Sequence, residues 1–206
     1  MVLSRLLDLL FPPRCVSCAA PGSWWCDECS RRVVPVGPVP APGNGLDGLL
    51  AAAVHRDPVT HLVKALKYRH TKAVAPIMAA YLQPLVADCR PDGSLLVPVP
   101  LHPRRLRQRG HNQSALLTEA LSESTGLPMS TALIRTRYTQ TQTGLGRAER
   151  RRNVRRAFDW TGAALSGKTV VLVDDVYTTG ATLASCAAAC RANGAPQVWG
   201  LVIGKR

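Results

Sequence analysis

Aromatic residues make up only 5% of the 206-residue chain, with two Phe among them. A core must therefore come from Ala, Val and Leu, and the 46% of hydrophobic residues is enough to build one. Acidic residues are also scarce, 13 against 26 Lys and Arg, which leaves a net charge of +13. That imbalance points to an anionic partner: a nucleotide, a phosphorylated sugar, nucleic acid or an acidic membrane surface. No apolar run approaches the roughly 20 residues of a spanning helix. The opening MVLSRLLDLLFPPRC has no secretory apolar region, because Asp8 breaks it and Pro12 ends it. Leu3, Leu6, Leu7 and Leu10 share one face of a short helix, expected to dock on the protein itself rather than on a membrane. A cytoplasmic protein is the expectation. Repeats and low-complexity segments are absent. The cysteine count is odd, seven, which argues against a closed disulfide framework.

Four of those cysteines fall within the first 34 residues, as Cys15-x2-Cys18 and Cys26-x2-Cys29 with seven residues between the pairs. Two such turns deliver four thiolates to a tetrahedral zinc, a closed site that folds a small module rather than catalysing. A redox-active pair is the alternative, disfavoured because no βαβ pattern surrounds it. Cys89, Cys186 and Cys190 read as small core residues. The Pro/Gly-rich PVGPVPAPGNG (35–45) reads as a linker. The expected organisation is a four-cysteine module over 1–34, a linker over 35–46 and an α/β domain over 47–206.

Within that domain, strands are predicted at 49–55, 95–100, 169–174 and 198–203. Helices are predicted at 59–68, 72–87, 113–124 (capped by Asn112 and stopped by Gly126) and 182–193. TVVLVD (169–174) is β-branched and unalternating, as a central parallel strand should be. The strand–helix–strand ending makes a βαβ unit. Residues 135–156 read as a long mobile loop.

Ligands of open parallel sheets gather at the carboxyl ends of the strands. There, Asp174 and Asp175 are followed by YTTGATL, which opens a helix. Backbone N–H groups of Thr178, Thr179, Gly180, Ala181 and Thr182, with the threonine hydroxyls, suit a phosphate cradle. Two carboxylates would repel a phosphate, so a different role falls to them. They can accept hydrogen bonds from vicinal ribose hydroxyls, or hold magnesium through water. Gly162 to Thr169, GAALSGKT, satisfies the P-loop pattern but leads into a strand rather than a helix, which excludes that use. Between Pro100 and Arg156 stand 12 arginines, no lysine and three acids. Arg104, Arg105, Arg107 and Arg109 lie in a segment after the 95–100 strand, and guanidinium groups match phosphate oxygens. His102 and His111 are the histidines of that segment and the candidates for a base, although a plain loop role fits them too.

VVLVDDVYTTGAT (170–182) resembles the phosphoribosyl pyrophosphate (PRPP) motif of type I phosphoribosyltransferases. The resemblance implies a parallel-sheet core in which Asp174 and Asp175 bind the ribose and Thr178 to Thr182 the 5′-phosphate. It also implies that the loop holding Arg104, Arg105, Arg107 and Arg109 binds pyrophosphate, and that 139–158 is a lid. Together with LVKALKY (62–68), VPVPLHPRRLRQRGHNQS (97–114) and TQTQTGLGRAERRRNV (139–154), the whole chain resembles the ComF/GntX family. Membership implies a phosphoribosyltransferase-like domain with PRPP and magnesium as ligands and a structural zinc. It further implies a link to natural competence, with single-stranded DNA and a competence ATPase as partners. The acceptor of a transferred phosphoribose is not given by these motifs, so PRPP sensing or DNA holding without turnover stays open beside catalysis.

Overall fold

The computed structural model describes residues 12–68, 72–88, 94–136 and 157–206. The leucine-rich opening, Cys89 and the expected lid lie outside the described residues, apart from Ala157 and Phe158 at the lid's end. A five-stranded sheet runs through the centre. Its strands are β1 (Pro35–Val39), β2 (Gly48–Val54), β3 (Leu95–Pro98), β6 (Thr169–Tyr177) and β7 (Gln197–Lys205), in the order β1-β2-β7-β6-β3. β2, β7, β6 and β3 are parallel, and β1 is antiparallel at the edge. A second, two-stranded sheet pairs β4 (Leu133–Arg135) with β5 (Phe158–Trp160).

Both faces of the large sheet are covered, so its central strands carry apolar residues without alternation. Val171 and Val173 of β6 point to one face, with Leu96, Leu201 and Ile203. There they meet helices α2 (Val59–Tyr68), α3 (Val74–Asp88) and α5 (Gln113–Thr125). Val170 and Leu172 point to the other face. They meet Leu183, Cys186 and Cys190 of helix α6 (Ala181–Ala192), with Leu133 and Phe158 of the small sheet. Burial pushes the Cys190 thiol up to about 12 and raises that of Cys186 as well, as expected of small core residues.

Three local readings are corrected. Pro35–Val39, inside the stretch read as a linker, is an edge strand; proline is tolerated there because an edge strand needs fewer backbone donors. The arginine segment is a short helix, α4 (Pro103–Arg109), rather than a loop. His102 caps it by accepting from the Arg104 N–H, Pro103 stands at its start and Gly110 closes it in the left-handed region at φ 76°. β6 continues three residues past Asp174, because β7 runs alongside it to Lys205.

The four-cysteine segment, with its short helix α1 (Asp27–Arg31), packs against α2 and α3. Val16 joins the core on that face, and Trp25 packs on it while donating to the Tyr81 hydroxyl of α3 at 3.0 Å. Ser30 shares a hydrogen bond with the same hydroxyl at 2.7 Å, and Ser17 bonds His61 of α2 at 3.1 Å.

Gly48 faces Trp199 across the β2–β7 pair, and a Cβ there would lie 2.1 Å from the indole ring. Gly48→Ala is therefore expected to destabilise the protein by about 1–3 kcal/mol through overpacking. Urea unfolding measures this loss, and Trp199→Leu in the same chain should restore most of it.

Candidate functional site

The site exists because β3 is shorter than β6. β3 ends at Pro98, opposite Val173, and the Val99 N–H donates to Val173 O at 3.0 Å before the chain turns away at Pro100. Beyond that point β6 keeps β7 on one side only, and Asp174 and Asp175 stand beside an opening of about 580 Å³. Of the candidate residues, Asp174, Asp175, Thr182, Arg105 and Arg109 line this one cavity. Gly180 and Ala181 belong to the adjoining turn into α6. Thr178 is exposed and Thr179 half-buried; neither lines the cavity, nor do Arg104 and Arg107 on the exposed side of α4.

The two acids are held differently. Asp174 accepts from Ser114 Oγ at 2.9 Å and from the Asp175 N–H at 2.9 Å. Burial, then the neighbouring Asp175 charge, push its carboxyl up to about 7, against the opposing pull of Lys67 and these two donors. Asp175 is buried and paired with the Lys67 ammonium from the last turn of α2. Ser114 is placed by the cap of α5: Asn112 accepts from the Ser114 N–H at 3.1 Å and donates to Val99 O at 3.1 Å, tying that helix to the end of β3.

The turn after Tyr177 leads into α6 through Gly180, which is left-handed at φ 73°. A Cβ there would lie 2.5 Å from both the Asn44 amide nitrogen and the Tyr177 hydroxyl, so only glycine fits. No side chain caps α6, which leaves its first N–H groups available to an anion.

Sequence reasoning did not assign Lys67, Ser114 or Arg135 to the site. LVKALKY was visible as a motif, but nothing local shows that Lys67 reaches Asp175. Arg135 comes from the small sheet, its guanidinium 5.3 Å from the Phe158 ring centre, and adds a third arginine to the cavity. The histidines hold structure together. His111 is buried and bonds the Leu66 carbonyl at 2.7 Å, and His102 spends Nδ1 on the cap of α4. Gly162 to Thr169 lies at the opposite, amino end of β6, away from the cavity, as its excluded P-loop reading requires.

The sulfurs of Cys15, Cys18, Cys26 and Cys29 all lie within 4.8 Å of one another, with Cys15–Cys29 at 3.7 Å and Cys18–Cys26 at 3.5 Å. A tetrahedron with metal–sulfur bonds of about 2.3 Å has edges of about 3.8 Å, so the donor set fits a metal ion. Burial raises the Cys15 thiol, but N–H groups of Cys18, Cys26 and Ser17 outweigh it and bring the group down to about 6. Cys29 is pushed by burial up to about 12. Four thiolates so close together need a cation to coexist.

No family model matches the chain. Among curated proteins it is 32% identical to competence protein F of Haemophilus influenzae, over 75% of this chain and 72% of that protein. It is 36% identical to DNA utilization protein YhgH of Escherichia coli K12, over 73% of this chain and 70% of that one. The Salmonella typhimurium protein of the same name is 34% identical over 91% of this chain and 81% of its own length. Among solved structures, purine phosphoribosyltransferase from Pyrococcus horikoshii superposes with a TM-score of 0.41 at 15% identity, covering 64% of this chain and 82% of that one. A hypoxanthine phosphoribosyltransferase from Staphylococcus aureus gives 0.41 at 13% identity, over 66% and 65%.

The raised Asp174 carboxyl has a consequence for stability. Its ordinary value is 3.8, so between about pH 4 and pH 7 the folded chain keeps a proton that the unfolded chain releases. This contribution is fully present below the unfolded value and is lost as pH rises through about 7. Asp174→Asn keeps the acceptor for Ser114 and removes the titration. Thermal unfolding across that window should show a flatter pH dependence for the variant and a higher midpoint than wild type above pH 7. An unchanged slope would mean that Asp174 ionises normally.

Proposed function

The chain belongs to the ComF family, and on that premise we propose that its cavity binds PRPP with magnesium. The observation that carries this reading is the acid pair at the carboxyl end of β6, facing Arg105 and Arg109 across a cavity that also meets the uncapped start of α6. In this reading Asp174 and Asp175 accept from the two ribose hydroxyls. Thr182 and the N–H groups of Thr178 to Thr182 hold the 5′-phosphate, and Arg105 and Arg109 face the pyrophosphate. Arg104 and Arg107, directed away from the cavity, serve the outer surface. Magnesium would neutralise the pyrophosphate, and the chain's part is to orient the ribose and spread charge off the leaving group. Transfer to an acceptor breaks the bond from the anomeric carbon to pyrophosphate, which leaves with the electron pair, while the acceptor's lone pair forms the new bond. The relatives' names, competence protein F and DNA utilization protein, support a role in handling DNA, and the +13 charge agrees with it; in our reading that DNA is single-stranded and handled in the cytoplasm. Among the described residues no helix is long and apolar enough to cross a membrane. The second reading, PRPP sensing without transfer, is supported by the structural duties of His102 and His111, the two histidines read from the sequence as candidate bases.

Calorimetry with PRPP and magnesium tests the site. If the acids grip ribose hydroxyls, Asp174→Asn with Asp175→Asn removes two charge-assisted hydrogen bonds of roughly 1.5–3 kcal/mol each, about two to four decades in affinity. A generic anion pocket would bind as well or better once the negative charge is gone. In the same titration Arg105→Ala should weaken binding by about tenfold or more, and Arg104→Ala far less. Pyrophosphate release from bound PRPP, measured with and without single-stranded DNA, separates transfer from sensing.

Zinc is the metal we assign to Cys15, Cys18, Cys26 and Cys29, since an all-thiolate set suits it and the site is closed. Metal analysis should find one zinc per chain, lost when Cys26 and Cys29 are both changed to Ser. A purified, folded wild-type chain without metal would end that assignment.

A further inference from the structure

Tyr68 is 67% exposed, well above the other large apolar side chains on the described surface: Leu106 at 42%, Trp24 and Ile134 at 40% each. It follows Lys67 on the last turn of α2, where successive side chains diverge by about 100°. Lys67 therefore reaches inward to Asp175 while Tyr68 stands on the wall of the same cavity. The guanidinium of Arg109 lies over the ring, 5.2 Å from its centre. Arg109 is itself fixed by a hydrogen bond to the Gln113 amide oxygen, and Gln113 is buried. A tyrosine backed by a fixed planar cation is a rigid apolar plate beside a polar, positively charged opening.

We propose that Tyr68, backed by Arg109, is a stacking platform for a nucleobase at the rim of this cavity. The cavity selects for anionic groups through Arg105, Arg109 and Arg135, and the plate selects for a flat ring with two apolar faces. Nucleobases are the flat rings that arrive joined to ribose and phosphate, and stacking on an aromatic ring tolerates any of the four. The inference rests on the phosphoribosyl reading for the direction in which sugar and phosphate extend from the plate. Two sources can supply the base: a single strand threading past the cavity, or a free base or nucleoside entering as acceptor.

The experiment compares a fluorescein-labelled thymidine dodecamer with an abasic dodecamer carrying the same label and the same number of phosphates, by anisotropy. Adenosine, which has no phosphate, is titrated separately by calorimetry. Equal phosphate counts cancel the electrostatic part of strand binding. The expected result is about a tenfold preference for the base-bearing strand, or adenosine binding, in wild type. Tyr68→Phe should retain it and Tyr68→Ala should abolish it. Preference for the strand without adenosine binding assigns the plate to a strand, and adenosine binding alone assigns it to a free acceptor. Equal affinity for both strands with no adenosine binding overturns the proposal, as does a preference that survives Tyr68→Ala. PRPP calorimetry on the wild-type chain keeps the two readings apart. PRPP binding without base preference defeats the platform alone, and base preference without PRPP binding defeats the phosphoribosyl site alone.

Discussion

The unequal length of two neighbouring strands governs this molecule. Prolines at 98 and 100 stop β3 while β6 continues beside β7 to Tyr177. A proline cannot donate to a ladder, so the sheet ends on one side of β6 and persists on the other. The gap is the cavity. Everything gathered around it depends on that step: the arginines of α4, the cap of α5 and the last turn of α2 each approach from a different element. The same step leaves Asp174 half-buried, without the full solvation a carboxylate prefers.

Charge around the cavity is mixed rather than uniformly positive, with Lys67 and three arginines outnumbering the two acids. Asp175 takes Lys67, Asp174 takes a hydroxyl and a backbone N–H, and three arginines complete the lining. A phosphate meeting only the acids would be repelled, and one meeting only the arginines would bind in any orientation. With both present, a ligand carrying hydroxyls and anionic oxygens would be oriented, its hydroxyl donors toward β6 and its anionic oxygens toward α4 and Arg135. Lys67 pairs with the buried Asp175 and holds the last turn of α2 against the sheet at its carboxyl edge.

The four-cysteine segment is integrated into this arrangement. Trp25 and Ser30 both meet the Tyr81 hydroxyl, and Ser17 meets His61 on the helix that also carries Lys67 and Tyr68. A segment this short has little apolar surface of its own to bury, and through Val16 and Trp25 it shares the larger core.

The sequence by itself determined the elements whose cause is local. The β-branched run of β6 has one backbone conformation that packs it. Asn112 and Gly126 bracket α5 with the cap and stop their side chains dictate. The two CxxC turns hold their sulfurs together at close spacing, and Asp174, Asp175 and Gly180 follow the strand in a fixed local order. Where local signals competed, reading along the chain fell short. Pro35–Val39 has a linker's composition and a strand's hydrogen bonds, because its partner β2 supplies them. The Pro103 and Gly110 signals of α4 were present but overshadowed by four arginines. Tertiary structure alone decided which arginines face the acids, that Lys67 reaches Asp175 across 108 positions of chain, and that Ser114 and Arg135 join them. Such pairings depend on strand order and on where each strand stops, and no spacing within a single segment encodes either.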